Sequence, residues 1–225
     1  MVYVRMSALK DFGKEWRGKE KTLGDALRKV FGREKPLRFR LAMAHYKINT
    51  MVRRLEVYLE RLKARDQELF ERVVDAIMSK DNARATMYAN EIAELRKVAK
   101  SLLMVQVALE HIALRIESIR EIGEIVYYLA PVIGVVKDVR AAIKTVLPEL
   151  GIELGEVQDI LQETVMEAGS IVGYGDISIP TSAEARKILE EAKVVAEQRM
   201  KEEFPTLPAT VPSAQAGEKS AEAHP

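Results

Sequence analysis

LAMAHYKINTMVRRLEVYLERLKARDQELFERVVDAIMSKDNARATMYANEIAELRKVAKSLLMVQVALEHIALRIESIREIGEIVYYL, residues 41–129, reads as two long helices folded back on each other. In the first, Leu41, Ile48, Leu55, Leu62 and Leu69 recur every seven residues, with Val52, Leu59 and Val73 interleaved. Alternating steps of four and three keep an apolar seam on one side of a helix. In the second, Leu95, Val98, Leu102, Val105, Leu109, Ile112, Ile116 and Ile119 form a seam with no polar interruption. Between the seams stands Ser79-Lys80-Asp81-Asn82, where Asp81 or Asn82 can cap the new helix. A turn that short sets the helices antiparallel, seam against seam, in a hairpin roughly 60 Å long. His45 and Asp66 occupy seam positions, where a polar residue sets register or marks a solvent-facing end.

Composition agrees with a helical fold. Of 225 residues 48% are hydrophobic, 31% charged and only 6% aromatic, and strand-like alternation is almost absent. The lack of cysteine removes disulfides, thiolate metal sites and cysteine nucleophiles together. His45, His111 and His224 share no metal spacing, and no Glu-x-x-His pair exists for a di-iron bundle. No secretory signal is expected, because residues 1–16 lack a continuous apolar core. The longest uncharged apolar run, residues 125–136, is short of the about 20 a membrane span needs. The expectation is a soluble or peripheral protein without cofactor, metal or catalytic site.

Net charge is +1 but unevenly placed: residues 1–66 carry 18 Lys/Arg against 8 Asp/Glu, the remainder 17 against 26. A basic half and an acidic half suit a polyanionic partner at one end and head-to-tail self-association. In residues 6–17, Met6, Leu9, Phe12 and Trp16 share one helical face, flanked by Lys10, Lys14 and Arg17. Trp and Phe set against Lys and Arg is the composition of a helix lying among lipid headgroups. The alternative packs Phe12 and Trp16 against the hairpin. A second small element, capped by Thr22 with Asp25 three residues on, carries Leu23, Leu27, Val30 and Phe31 on one side. Lys21, Arg28, Lys29 and Arg33 surround it, and Pro36 ends it.

After Leu129 the pattern predicts that Pro131 and Gly134 break the rod and that residues 132–147 form a shorter helix. Gly151 and Gly155 should flank a loop before a helix over residues 156–168. The Gly-rich residues 169–180 read as a hinge. Thr181-Ser182-Ala183-Glu184 is a capping box opening a terminal helix through Met200. The organisation expected is a basic amphipathic segment (1–20), a helical core (21–180, hairpin about 38–130), a C-terminal docking helix (181–203) and a disordered Pro-rich tail (204–225).

Two motif matches fail on physics. Gly13-Lys14-Glu15-Trp16-Arg17-Gly18-Lys19 approximates a phosphate-binding loop, but Glu20 stands where a hydroxyl must hold magnesium. Val172-Gly173-Tyr174-Gly175-Asp176 copies a potassium-filter signature without the membrane helices a filter needs.

Hairpin, acidic helices, linker, terminal helix and Pro-rich tail together resemble the ESCRT-III superfamily, and more closely the archaeal CdvB cell-division group, over roughly residues 23–200. The sharpest local match is Phe204-Pro205-Thr206-Leu207-Pro208-Ala209-Thr210-Val211-Pro212. It resembles the apolar and proline pattern such proteins present to the MIT domain of an AAA ATPase, CdvC in archaea, with Phe204 in place of Leu. A pre-extended segment loses little entropy on docking into a helical groove. The resemblance implies an all-α, non-enzymatic subunit forming filaments with itself and paralogous subunits on anionic membrane, in cell division or vesicle budding. It implies disassembly by the ATPase through Phe204, Pro205, Leu207, Pro208, Val211 and Pro212. The place implied is the cytoplasmic side of the cell membrane, at the division site. Some members carry a C-terminal winged helix, for which only 25 residues follow Met200. The competing reading is a basic coiled-coil protein associated with nucleic acid, using the same N-terminal half on phosphate.

Overall fold

The structure, a computed structural model, describes residues 36–119, 122–173 and 183–204. All regular structure among them is helical: α1 (Leu37–Met78), α2 (Asn82–Ser118), α3 (Ile122–Ile143), α4 (Pro148–Val172) and α5 (Ala183–Glu203). Both N-terminal elements, the hinge from residue 174, the Thr181-Ser182 cap and the tail beyond Phe204 lie outside the described residues. The chain divides into two compact units. The first takes α1 to Val52, α2 from Ala108, α3, α4 and α5 to Glu191; the second takes the remaining parts of α1, α2 and α5.

The second unit holds the hairpin turn. Lys80 adopts a left-handed φ of 57°. Its N–H donates to the carbonyl of Ile77 (3.0 Å), and that of Asp81 to Ala76 (2.9 Å). This pair of bonds closes α1 in a Schellman arrangement and satisfies its last carbonyls. Asp81 Oδ1 then accepts from the backbone N–H of Arg84 at 3.0 Å, capping α2. One three-residue turn thus ends one helix and starts the next. The arms return antiparallel, and Leu69 and Val73 of α1 bury against Ala89 and Ile92 of α2. Of the seam residues expected, His45, Leu62, Leu95 and Val98 are half-buried and the others buried.

The first unit departs from local expectation in three places. α2 does not run on to Leu129 but stops at Ser118, and α3 begins at Ile122. Ile116, Ile119, Ile122 and Ile125 are spaced by threes, which on a straight helix would carry the stripe back by about 60° per step. Ending one helix and starting another keeps all four buried. Next, α3 continues through Pro131 and Gly134 instead of breaking there. Pro131 deprives the Tyr127 carbonyl of its helical partner, but Tyr127 is exposed and that carbonyl can take water. Gly134 marks a close approach: a Cβ there would lie 3.3 Å from Cβ of Ala185 on α5.

The third departure is α4. Gly151 and Gly155 lie buried inside this helix, not in a loop. A Cβ on Gly151 would come 3.2 Å from Cα of Lys144, and one on Gly155 would meet the Arg140 guanidinium at 3.0 Å. Gly151 therefore lets α4 cross close to the end of α3, whereas Gly155 faces only the far end of a flexible side chain. Gly169 is likewise helical, and α4 ends only at Gly173, whose φ of 79° is left-handed and whose N–H bonds to Gly169 O at 3.0 Å.

Candidate functional site

In a helical chain of this composition, the candidate sites are surfaces where one helix seats on others. Helix α5 provides the first. Its C-terminal half belongs to the second unit and buries Ala192 and Ala196, small residues that admit close helix contact. Two ion pairs flank this seat, Lys100 with Glu197 at 2.9 Å and Lys63 with Glu203 at 3.9 Å. The Lys100 ammonium, by hydrogen bond and charge, holds the Glu197 carboxyl below its usual range.

The seat ends at Phe204. Its N–H continues the helical pattern to Met200 O at 3.1 Å. The ring is buried, with the Arg96 guanidinium 5.8 Å from its centroid. Arg96 in turn bonds to Asp66, which is 1% exposed, through two contacts of 2.6 and 2.8 Å. A seam aspartate, a cross-hairpin arginine and the ring that closes the terminal helix form one stack. Asp66 signalled its half of this stack by interrupting an apolar seam. Nothing local in the sequence tied Arg96 or Phe204 to it.

In the first unit, the opposite charges of the two sequence halves meet within one chain. α4 carries Glu149, Glu153, Glu156, Asp159, Glu163 and Glu167 and no Lys or Arg. Arg40 of α1 pairs with Glu167 at 2.7 Å, and Lys47 with Glu156 at 2.6 Å. Arg115 of α2 pairs with Glu184 of α5 at 2.7 Å. Between α1 and α4 lies a groove of about 630 Å³, lined by Phe39, Met43, Ile160 and Met166, with Arg40, Glu163 and Glu167 at its edge. Phe39 is 44% and Met166 69% exposed.

Of the residues expected to bind membrane, Met6, Leu9, Lys10, Phe12, Lys14, Trp16 and Arg17 all lie outside the described residues. So do Pro205, Leu207, Pro208, Val211 and Pro212 of the tail pattern, which leaves Phe204 as its one described member. Among the described residues no cluster of His, Asp and Glu is gathered as a metal ion would require. No described helix is long and apolar enough to cross a membrane.

Three proteins of Sulfolobus acidocaldarius are similar to this chain. Cell division protein B1 is 50% identical over 208 residues, covering 92% of this chain and 94% of that protein. Cell division protein B is 27% identical over 188 residues, covering 82% and 72%, and Cell division protein B3 is 24% identical over 167 residues, covering 73% and 90%. No family model matches the chain. No solved structure matches it either.

Proposed function

The chain belongs to the CdvB group of archaeal ESCRT-III-like cell-division proteins, and on that premise we propose that it is a non-enzymatic filament subunit that polymerises on anionic membrane. The observation that carries this reading is the 50% identity to Cell division protein B1 over 92% of the chain. Three similar proteins in one organism further favour an assembly shared among paralogues.

The seat of α5 supports exchange between chains. It rests on small alanines, two exposed ion pairs and one aromatic ring. Exposed pairs contribute about 0–1 kcal/mol each, and a buried Phe about 1.5–3 kcal/mol. The C-terminal half of α5, held this modestly, can leave its own hairpin for a neighbour's, while Ala185, Ile188 and the Glu184–Arg115 pair keep the N-terminal half within the first unit. The basic N-terminal segment then holds the polymer on lipid: Met6, Leu9, Phe12 and Trp16 insert while Lys10, Lys14 and Arg17 face the headgroups. One copy binds weakly, and many copies on a filament bind through avidity. An AAA ATPase of the CdvC type engages the tail and withdraws subunits during cell division or vesicle budding, at the inner face of the cell membrane.

Cosedimentation with anionic liposomes and negative-stain microscopy test this. The expected result is lipid-bound protein and filaments. Protein that stays monomeric and in the supernatant at all salt concentrations overturns it. Changing Leu9, Phe12 and Trp16 to Ser, with charge unchanged, should abolish lipid binding. Loss of lipid binding with equal retention on DNA would instead mark the phosphate contact as separate from the membrane contact.

A further inference from the structure

The groove between α1 and α4 has an apolar floor and an acidic wall. Phe39 and Met43 face Ile160 and Met166 across it, α4 lines it with Glu163 and Glu167, and Glu167 is paired with Arg40 at its edge. Asp159 and Glu163, exposed on this helix, have no ion-pair partner among the described residues. Such a surface fits a short segment with an apolar stripe and a positive flank.

This chain supplies one immediately upstream. Leu23, Leu27, Val30 and Phe31 share a face at helical spacing, and Lys21, Arg28, Lys29 and Arg33 surround them, with Asp25 the one acid among residues 21–33. Four residues, 32–35, separate Phe31 from Pro36, and Phe39 and Arg40 on the groove lie within the next turn. A four-residue link spans at most about 14 Å. A connection that short returns a segment antiparallel along the helix it precedes.

We infer that residues 22–31 of the same chain dock in the α1–α4 groove, with Leu27 and Phe31 on its apolar floor and Arg28 and Lys29 beside Asp159 and Glu163. The short link gives this occupant an effective concentration in the millimolar range. A separate copy in dilute solution does not match that. Docking here would leave residues 6–17 as a distinct arm, anchored at a defined end of α1. The inference stands apart from the proposed function, since it concerns the monomer without lipid or ATPase.

The chain contains no cysteine, so introduced pairs report unambiguously. Full-length protein carrying Leu27→Cys and Met166→Cys, oxidised at submicromolar concentration, should form an intramolecular disulfide in most molecules at a yield independent of dilution. A Leu27→Cys and Met87→Cys pair, with residue 87 exposed on the hairpin, measures random collision. Equal yields from the two pairs, or dimers only, overturn the inference. As an independent readout, maleimide should label Met166→Cys about tenfold faster when Leu27→Asp and Phe31→Asp are added. Labelling of Met87→Cys should not change in that background, which verifies the fold. Unchanged labelling at residue 166 overturns the docking.

Discussion

Asp66 and Arg96 face each other across the two arms of the hairpin, the carboxylate accepting hydrogen bonds of 2.6 Å from Nε and 2.8 Å from Nη2. Two parallel bonds to a planar guanidinium fix direction as well as distance. Sliding one arm by a turn would leave a carboxylate without its partner in an apolar seam. The pair therefore fixes the register that leucines and valines by themselves specify weakly.

Removing one partner should cost much more than removing both. Arg96→Met leaves the Asp66 carboxylate buried and is expected to destabilise by about 3 kcal/mol, within the range for broken buried pairs. Asp66→Leu combined with Arg96→Met should recover most of that loss. Urea unfolding midpoints of the two variants check this, and a single variant within 0.5 kcal/mol of the parent (about twofold in the folding equilibrium) contradicts it.

Phe204 has two claims on it, since it opens the tail pattern and also lies under Arg96. A partner that takes its ring must first lift it from that seat. A peptide of residues 201–225 should therefore bind an MIT domain about tenfold more tightly than the whole chain does, equivalent to about 1.4 kcal/mol. Arg96→Met should narrow the difference. Calorimetry on the three samples decides it, and equal affinities for peptide and chain contradict it.

The two buried glycines of α4 should respond oppositely to alanine. Gly151→Ala drives a methyl against the backbone of Lys144, which cannot swing aside, and overpacking of that kind costs about 1–3 kcal/mol. Gly155→Ala meets only the mobile end of Arg140. There the helix-propensity gain of up to about 1 kcal/mol wins. Thermal unfolding should place one variant below the parent and the other level with it or above.

Lys80 holds a left-handed φ that costs a side-chain-bearing residue about 1–2 kcal/mol. Lys80→Gly removes that cost but enlarges the freedom of the unfolded chain. The net expectation is a gain of about 0.5–1 kcal/mol, read as a raised Tm.

Acid should loosen the end of α5. Glu197 is held below its usual value near 4.5 chiefly by its hydrogen bond to Lys100. A depressed carboxyl stabilises the folded state fully above that usual value and loses the contribution as pH falls through its folded pKa. Carbon-detected NMR titration should give Glu197 a midpoint below 4.5 in the parent, and Lys100→Ala should move it back up.

Much of this architecture was legible in the chain because its causes are local or periodic. The spacing of Leu41, Ile48, Leu55 and Leu69 predicts a one-sided stripe whatever else surrounds it, and Asp81 caps α2 from its own side chain. Asp66 was legible as a register residue, but its partner was not, because thirty residues separate Arg96 from it.

Sequence by itself determined that this chain is helical, that two of its helices form a hairpin, and that its charge is divided. Only the tertiary structure decided what Gly134, Gly151, Gly155 and Pro131 are for, and where Phe204 lies. Read locally, glycine and proline signal a break. Packed against Ala185 and Lys144, Gly134 and Gly151 are the missing methyl groups that let helices touch, Gly155 meets only the end of the Arg140 side chain, and burial holds α3 together through its proline. Helix propensity differs by about 1 kcal/mol per glycine, less than a well-packed helix contact supplies, so the neighbours decide the outcome.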